Sequence, residues 1–243
     1  MTNILDQIAH THRRDFRPSS PDDYFAMRLA HRLGEPEAAA HYSILASHYS
    51  REQLLSAFRK TVDMEEPGKH AGQVFHDHLI ANGHNGHSSV SQARLISIHV
   101  ARRTIAVAVF IGTHLEGRRV LQVSSNPARA ESSVAGFIRA MLSESSCEFA
   151  AIEPAPSEED ILRSMLHRAV VTQLRASQIS VWEVSKKTVF SAFGYPALRS
   201  RREVRERMLA IWPLPNLKRA QMCALDAFAL GLFVQTERLF NNF

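Results

Sequence analysis

The chain has 243 residues, 45% of them apolar, and a formal net charge of +5 from 29 Lys and Arg against 24 Asp and Glu. That length can bury a sizeable core as one domain, or as one domain with a small accessory unit. Two cysteines without a CxxC, Cys147 and Cys223, exclude a disulfide framework and a thiolate zinc motif. No apolar run approaches the roughly 18 residues of a membrane span, and MTNILDQIAHTHRRDF lacks the order of a signal peptide, so the expectation is a cytoplasmic protein with no membrane partner.

Residues 1–20 read as a mobile lead-in ending at Pro-Ser-Ser-Pro. The segment 21–64 then carries helical periodicity in three pieces, Asp22 to Leu33, Pro36 to His48 and Arg51 to Val62. Gly34 and Pro36 break the first two, and Ser50 with Gln53 forms a capping-box start for the third. Three such helices predict a small N-terminal helical unit. Residues 65–90 shift to Gly and His and read as a linker with a short middle helix. The spacing of His70, His76, His78, His84 and His87 matches no compact ligand motif, so these histidines are assigned no metal role.

From residue 91 the pattern becomes α/β. Leu95 to Val100 and Ile105 to Phe110 flank a compact Ala-Arg-Arg-Thr, as two strands joined by a tight turn do. Gly112 directs the chain to a third strand, Arg118 to Val123, in an antiparallel meander. Asn126-Pro127 opens a helix whose Val134, Phe137, Ile138, Met141 and Leu142 make one apolar stripe. A fourth strand, Glu148 to Glu153, is ended by Pro154 and Pro156. Ser157-Glu-Glu-Asp160 caps the next helix, Ile179 to Val184 is a fifth strand, and helices follow over Lys186 to Phe193, Leu198 to Ile211 and Leu217 to about Leu239.

Charge is concentrated between residues 186 and 207, where Lys186, Lys187, Arg199, Arg201, Arg202, Arg205 and Arg207 face only Glu203 and Glu206. Such a run is either a solvated helix face laced with i,i+4 pairs or a phosphate-contacting surface. Two carboxylates stand in apolar surroundings. Glu153 ends Phe-Ala-Ala-Ile, and Asp226 is the lone charge in Met222 to Val234. A carboxylate placed there has to lie at an edge, pair with a cation such as Arg, or hold a metal. His99 is the one titratable side chain in its strand.

The order β-β-β-α-β-α-β-α, with LISIHV and TIAVAVF as opening hairpin, AAIEP as fourth strand, the basic SKKTVFSAFGYPALRSRREVRERMLAIWP and the terminal LDAFALGL, resembles the ribonuclease H superfamily over residues 91–243. Within it the chain is similar to the Holliday-junction resolvases of the RuvC type. The resemblance implies a ribonuclease H-like mixed sheet flanked by helices, preceded here by the helical unit. It also implies four carboxylates around two divalent ions about 4 Å apart, Mg²⁺ or Mn²⁺. Glu153 matches the fourth-strand carboxylate and Asp226 the last-helix one, whereas His99 and Cys223 stand where two more are expected.

Three readings remain open at this point. The first is a nucleic-acid-binding protein with a decayed nuclease site that needs no metal. The second is an active structure-specific endonuclease with a re-tuned site of His99, Glu153, Cys223 and Asp226, its metal held by Glu153, Asp226 and His99. The third is a protein-only scaffold. The resemblance implies DNA or RNA, branched or duplex, as partner, contacted through Lys186, Lys187, Arg199, Arg201, Arg202 and Arg205. It further implies a homodimer, and the N-terminal helices are candidates for docking a protein partner.

Overall fold

The computed structural model describes residues 16–64, 71–81, 93–157, 160–194, 198–214 and 221–241. The chain opens with helix α1 (Pro21–Arg32), a 3₁₀ turn at Pro36–Ala38, α2 (Ala39–His48), α3 (Arg51–Asp63) and α4 (Ala71–Ala81). Ser20 caps α1 by accepting from the Asp23 amide, and Ser50 with Gln53 closes the expected capping box on α3. The middle of the expected linker is thus an eleven-residue helix that buries Val74, Phe75 and Leu79. Its Gly and His content disguised a packed face.

The rest of the chain follows as β1 (Arg94–Val100), β2 (Thr104–Ile111), β3 (His114–Gln122), α5 (Pro127–Ser145), β4 (Phe149–Ile152), α6 (Ile161–Ala176), β5 (Ser180–Glu183), α7 (Lys186–Ser191), α8 (Arg201–Ile211) and α9 (Cys223–Asn241). One five-stranded sheet has the order β3-β2-β1-β4-β5. Strands β1, β2 and β3 pair antiparallel, while β4 and β5 run parallel to β1. That order and these directions make the fold a ribonuclease H-like mixed sheet flanked by helices, as the resemblance implies. Strand β3 begins at His114, four residues before the expected start, because an edge strand exposed on one side needs no apolar alternation. Helix α6 is capped by Asp160, whose side chain accepts from the Arg163 amide.

Alternation along β1 and β2 divides the core. Ile96, Ile98, Val100, Ile105, Val107 and Val109 face α5 and α6, meeting Val134, Ile138, Leu166, Val170 and Leu174. Leu95, Ala106, Ala108 and Phe110 face α9. Every residue of α9 from Cys223 to Phe240 is buried, so this helix is covered on all sides. Part of that cover is the N-terminal segment: Phe25 stacks on Phe240 at 5.3 Å, Tyr24 stacks on Phe193 at 4.4 Å, and Arg28 and Arg32 both pair with Glu237. The N-terminal helices and the sheet therefore share one continuous apolar cluster.

Helix α9 crosses the sheet closely where it carries Gly231. A Cβ there would collide with the Phe110 ring and the Ser97 hydroxyl, and Ser97 Oγ donates to the Ala227 carbonyl at 2.7 Å. Phe110 has no room to retreat, being fully buried and edge-on to Trp212. Gly231→Ala is therefore expected to destabilise the protein by about 1–3 kcal/mol despite the higher helix propensity of Ala, measured as a fall in the urea midpoint at unchanged slope.

Candidate functional site

The parallel strands β1, β4 and β5 all end at one edge of the sheet, and the sequence-predicted residues gather there. His99 is the penultimate residue of β1 and, like Leu95 and Ser97, points toward α9. Glu153 directly follows β4, whose Ile152 is in register with Ile98. Asp226 lies in the first turn of α9. His99 Nδ1 is 3.2 Å from Glu153 Oε1 and His99 Nε2 is 3.6 Å from Asp226 Oδ2. The first distance suits a hydrogen bond and the second is too long for one. The imidazole, 1% exposed, separates the two carboxylates.

Each carboxylate is also held by arginine. Arg163, in the first turn of α6, donates from Nη2 to Glu153 Oε2 at 2.8 Å and from Nε to the Val100 carbonyl at 2.7 Å, tying α6 to the ends of β1 and β4. One turn further along α6, His167 Nε2 lies 2.9 Å from the Glu153 carbonyl oxygen. Arg205 Nη2 contacts Asp226 Oδ2 at 2.5 Å and Arg201 Nε lies 3.3 Å from Oδ1. These two arginines stand at i and i+4 on α8 and share one face. Ser200 and Glu203 form the capping box that starts this helix.

The local field is consequently cationic. Burial alone would raise the Glu153 carboxyl, but the His99 hydrogen bond and the charges of His99, Arg163 and Arg201 outweigh it and hold the group at about 2. The Lys186 ammonium is pushed below its ordinary value, first by burial and then by Arg201, with Glu153 and Asp226 only partly offsetting this. Burial, followed by the charge of Asp226, raises the Cys223 thiol.

Two carboxylates already matched by three guanidinium groups do not fit a pair of divalent cations, which need carboxylate oxygens as ligands and a negative site to hold both charges. Among the described residues no group of three or more His, Cys, Asp or Glu side chains is arranged to hold a metal ion. The expectation that Glu153, Asp226 and His99 form a metal set meets this obstacle: the acids and the imidazole converge, but Arg163, Arg201 and Arg205 take up their oxygens.

The basic segment divides in two. Arg201 and Arg205, expected on a phosphate-contacting face, turn inward to Asp226. Lys186, Lys187, Arg199 and Arg202 remain exposed, with Arg202 paired to Glu206 at 2.8 Å. Three further arginines reach the same edge without having been singled out in the sequence: exposed Arg102 and Arg103 in the β1–β2 turn, and Arg129 in the first turn of α5. Arg163 was also missed. Its signal was the Arg163/His167 i,i+4 pair on the helix that follows the carboxylate strand.

No protein-family model matches the chain, and no curated protein matches it. Solved structures do. Thermus thermophilus RuvC is similar at 16% identity and a TM-score of 0.49, over 61% of this chain and 95% of that one. T. thermophilus RuvC in complex with its Holliday junction substrate is similar at 17% and 0.48, over 58% and 91%. The yeast mitochondrial Holliday junction resolvase Ydc2 is similar at 13% and 0.43, over 77% and 97%. No helix among the described residues is long and apolar enough to cross a membrane.

A carboxyl held at about 2 contributes stability that is present above its unfolded value of about 4.5 and is lost as pH falls through 2. Glu153→Gln is expected to cost up to about 3 kcal/mol at neutral pH. The gap between variant and wild type should narrow progressively below about pH 4.5, read from urea unfolding across pH 2–7.

Proposed function

We propose that this protein binds structured nucleic acid, branched or duplex, across the edge of the sheet where β1, β4 and β5 end, and that it does so without metal-dependent cleavage. The observation that carries this reading is the arginine pairing of both remaining carboxylates beside a surface of exposed basic residues. Arg102, Arg103, Arg129, Lys186, Lys187 and Arg199 are exposed on elements that end or begin at that edge. Spaced positive charge of this kind suits a phosphate backbone, and supplies affinity with little base discrimination. Arg201 and Arg205 serve a different purpose in this reading. By holding Asp226 they fix α8 in place and so position the exposed Arg199 and Arg202.

The reading favours the decayed site over the re-tuned one. A re-tuned site needs Glu153, Asp226 and His99 free of guanidinium partners, and Arg163, Arg201 and Arg205 pair with both carboxylates. Binding of a four-way DNA junction and of duplex DNA or RNA, followed by fluorescence anisotropy between about 50 and 200 mM salt, tests the interface. Replacing Arg102, Arg103, Lys186 and Lys187 by Ala should reduce the log–log salt slope by roughly 0.9 for each phosphate that is no longer neutralised, with duplex and junction weakened alike. An unchanged slope would move the interface elsewhere. In the same samples, Mg²⁺ or Mn²⁺ should produce no cleavage that depends on Asp226. Robust cleavage that disappears in Asp226→Asn would overturn the decayed-site reading.

A further inference from the structure

A second cluster of titratable side chains lies in the N-terminal helices, on elements apart from the sheet edge. His41 on α2 and His76 on α4 face each other with their Nε2 atoms 2.6 Å apart and their ring centroids 4.8 Å apart. Both belong to short helices that are separated in sequence by the whole of α3. The rings sit against aromatic walls: Tyr42 is 5.5 Å from His41 and 6.5 Å from His76, and Phe75 is edge-on to His76 at 6.0 Å. The Glu35 carboxylate accepts from Tyr42 Oη at 2.9 Å and packs against the backbone of Gly72, one helical turn before His76.

We infer that His41 and His76 form a transition-metal site, using their Nε2 atoms as two ligands for a divalent ion of the zinc class whose remaining positions are filled by water. Two features support it. The two nitrogens already face each other at hydrogen-bond distance, and ligation at about 2.0–2.1 Å with a tetrahedral angle would move them to about 3.3 Å apart, the ion displacing the proton they share. Glu35 and Asp77 place negative charge beside the ring, which compensates a bound cation. Imidazole pairs select zinc, copper or nickel over magnesium. The inference is independent of the sheet edge and of nucleic-acid binding.

An ion held there would staple α2 to α4 and tighten the N-terminal helices that cover α9. The test uses the full chain, metal-free, with Zn²⁺ as probe and exposed His114 as a control. Wild type should bind one equivalent of Zn²⁺ by calorimetry and gain roughly 5–10 °C in Tm at about 100 times the dissociation constant. His114→Ala should behave like wild type. His41→Gln and His76→Gln, which keep a hydrogen-bonding group but lose the ligand nitrogen, should each weaken binding by more than the roughly tenfold that loss of an outer-shell partner costs. Co²⁺ added to wild type should give visible d–d bands that disappear in both variants, a readout that does not depend on the variants' stability. Absence of binding and of Co²⁺ bands in wild type, or binding undiminished in both variants, would overturn the assignment.

Discussion

The structure turns on a carboxylate in an apolar place. Asp226 sits in the first turn of a helix whose residues from Cys223 to Phe240 are all buried, and burying an unpaired carboxylate is among the costlier things a fold can do. Arg201 and Arg205 neutralise it from α8, His99 lies on its other side, and His99 in turn meets Glu153, which Arg163 holds. A chain of charged contacts thus runs from α8 through α9 and β1 to the end of β4 and the start of α6. The arrangement of the sheet edge follows from matching that one charge, because α8 cannot leave Asp226 without exposing it unpaired.

The same buried helix explains the N-terminal segment. A helix that is apolar on one side and carries Gln235, Glu237 and Arg238 on others needs cover beyond the sheet. Phe25 stacks on Phe240 and Arg28 with Arg32 surrounds Glu237. Arg238 lies 3.5 Å above the Phe149 ring and Gln235 donates to the Ala93 carbonyl at 3.0 Å. The inner faces of the N-terminal helices complete the core, so removing these helices would uncover α9. Their outward surfaces, including the His41 and His76 pair, are what remains for other roles.

Much of the fold was legible in the sequence because it rests on local signals. The aliphatic runs Leu95 to Val100 and Ile105 to Phe110, the capping residues Ser50, Asn126 and Asp160, and the stripe of α5 all mark their elements. Edge strand β3 was read short because exposure removes the alternation that marks a strand, and α4 was read as the short middle helix of a linker because its Gly and His masked the packed face. At the site, the resemblance drew attention to His99, Glu153, Cys223 and Asp226, and the apolar context of Asp226 left an arginine partner as one of its alternatives. Which arginines would serve could not be read. Arg163 reaches Glu153 across a helix start and Arg205 reaches Asp226 from another element, and such pairings are set by packing rather than by spacing. The lead-in 1–15 and His70, His84 and His87 lie outside the described residues.

In the proposed reading, guanidinium groups, and not divalent cations, match the charge of Glu153 and Asp226. Thermal unfolding of the full chain as a function of Mn²⁺, in wild type and in the double variant Glu153→Gln/Asp226→Asn, tests it most directly, since any ion bound to the native site must raise Tm by mass action. Millimolar Mn²⁺ should produce the same small change in both proteins. A saturable rise of several degrees in wild type that vanishes in the double variant would contradict it.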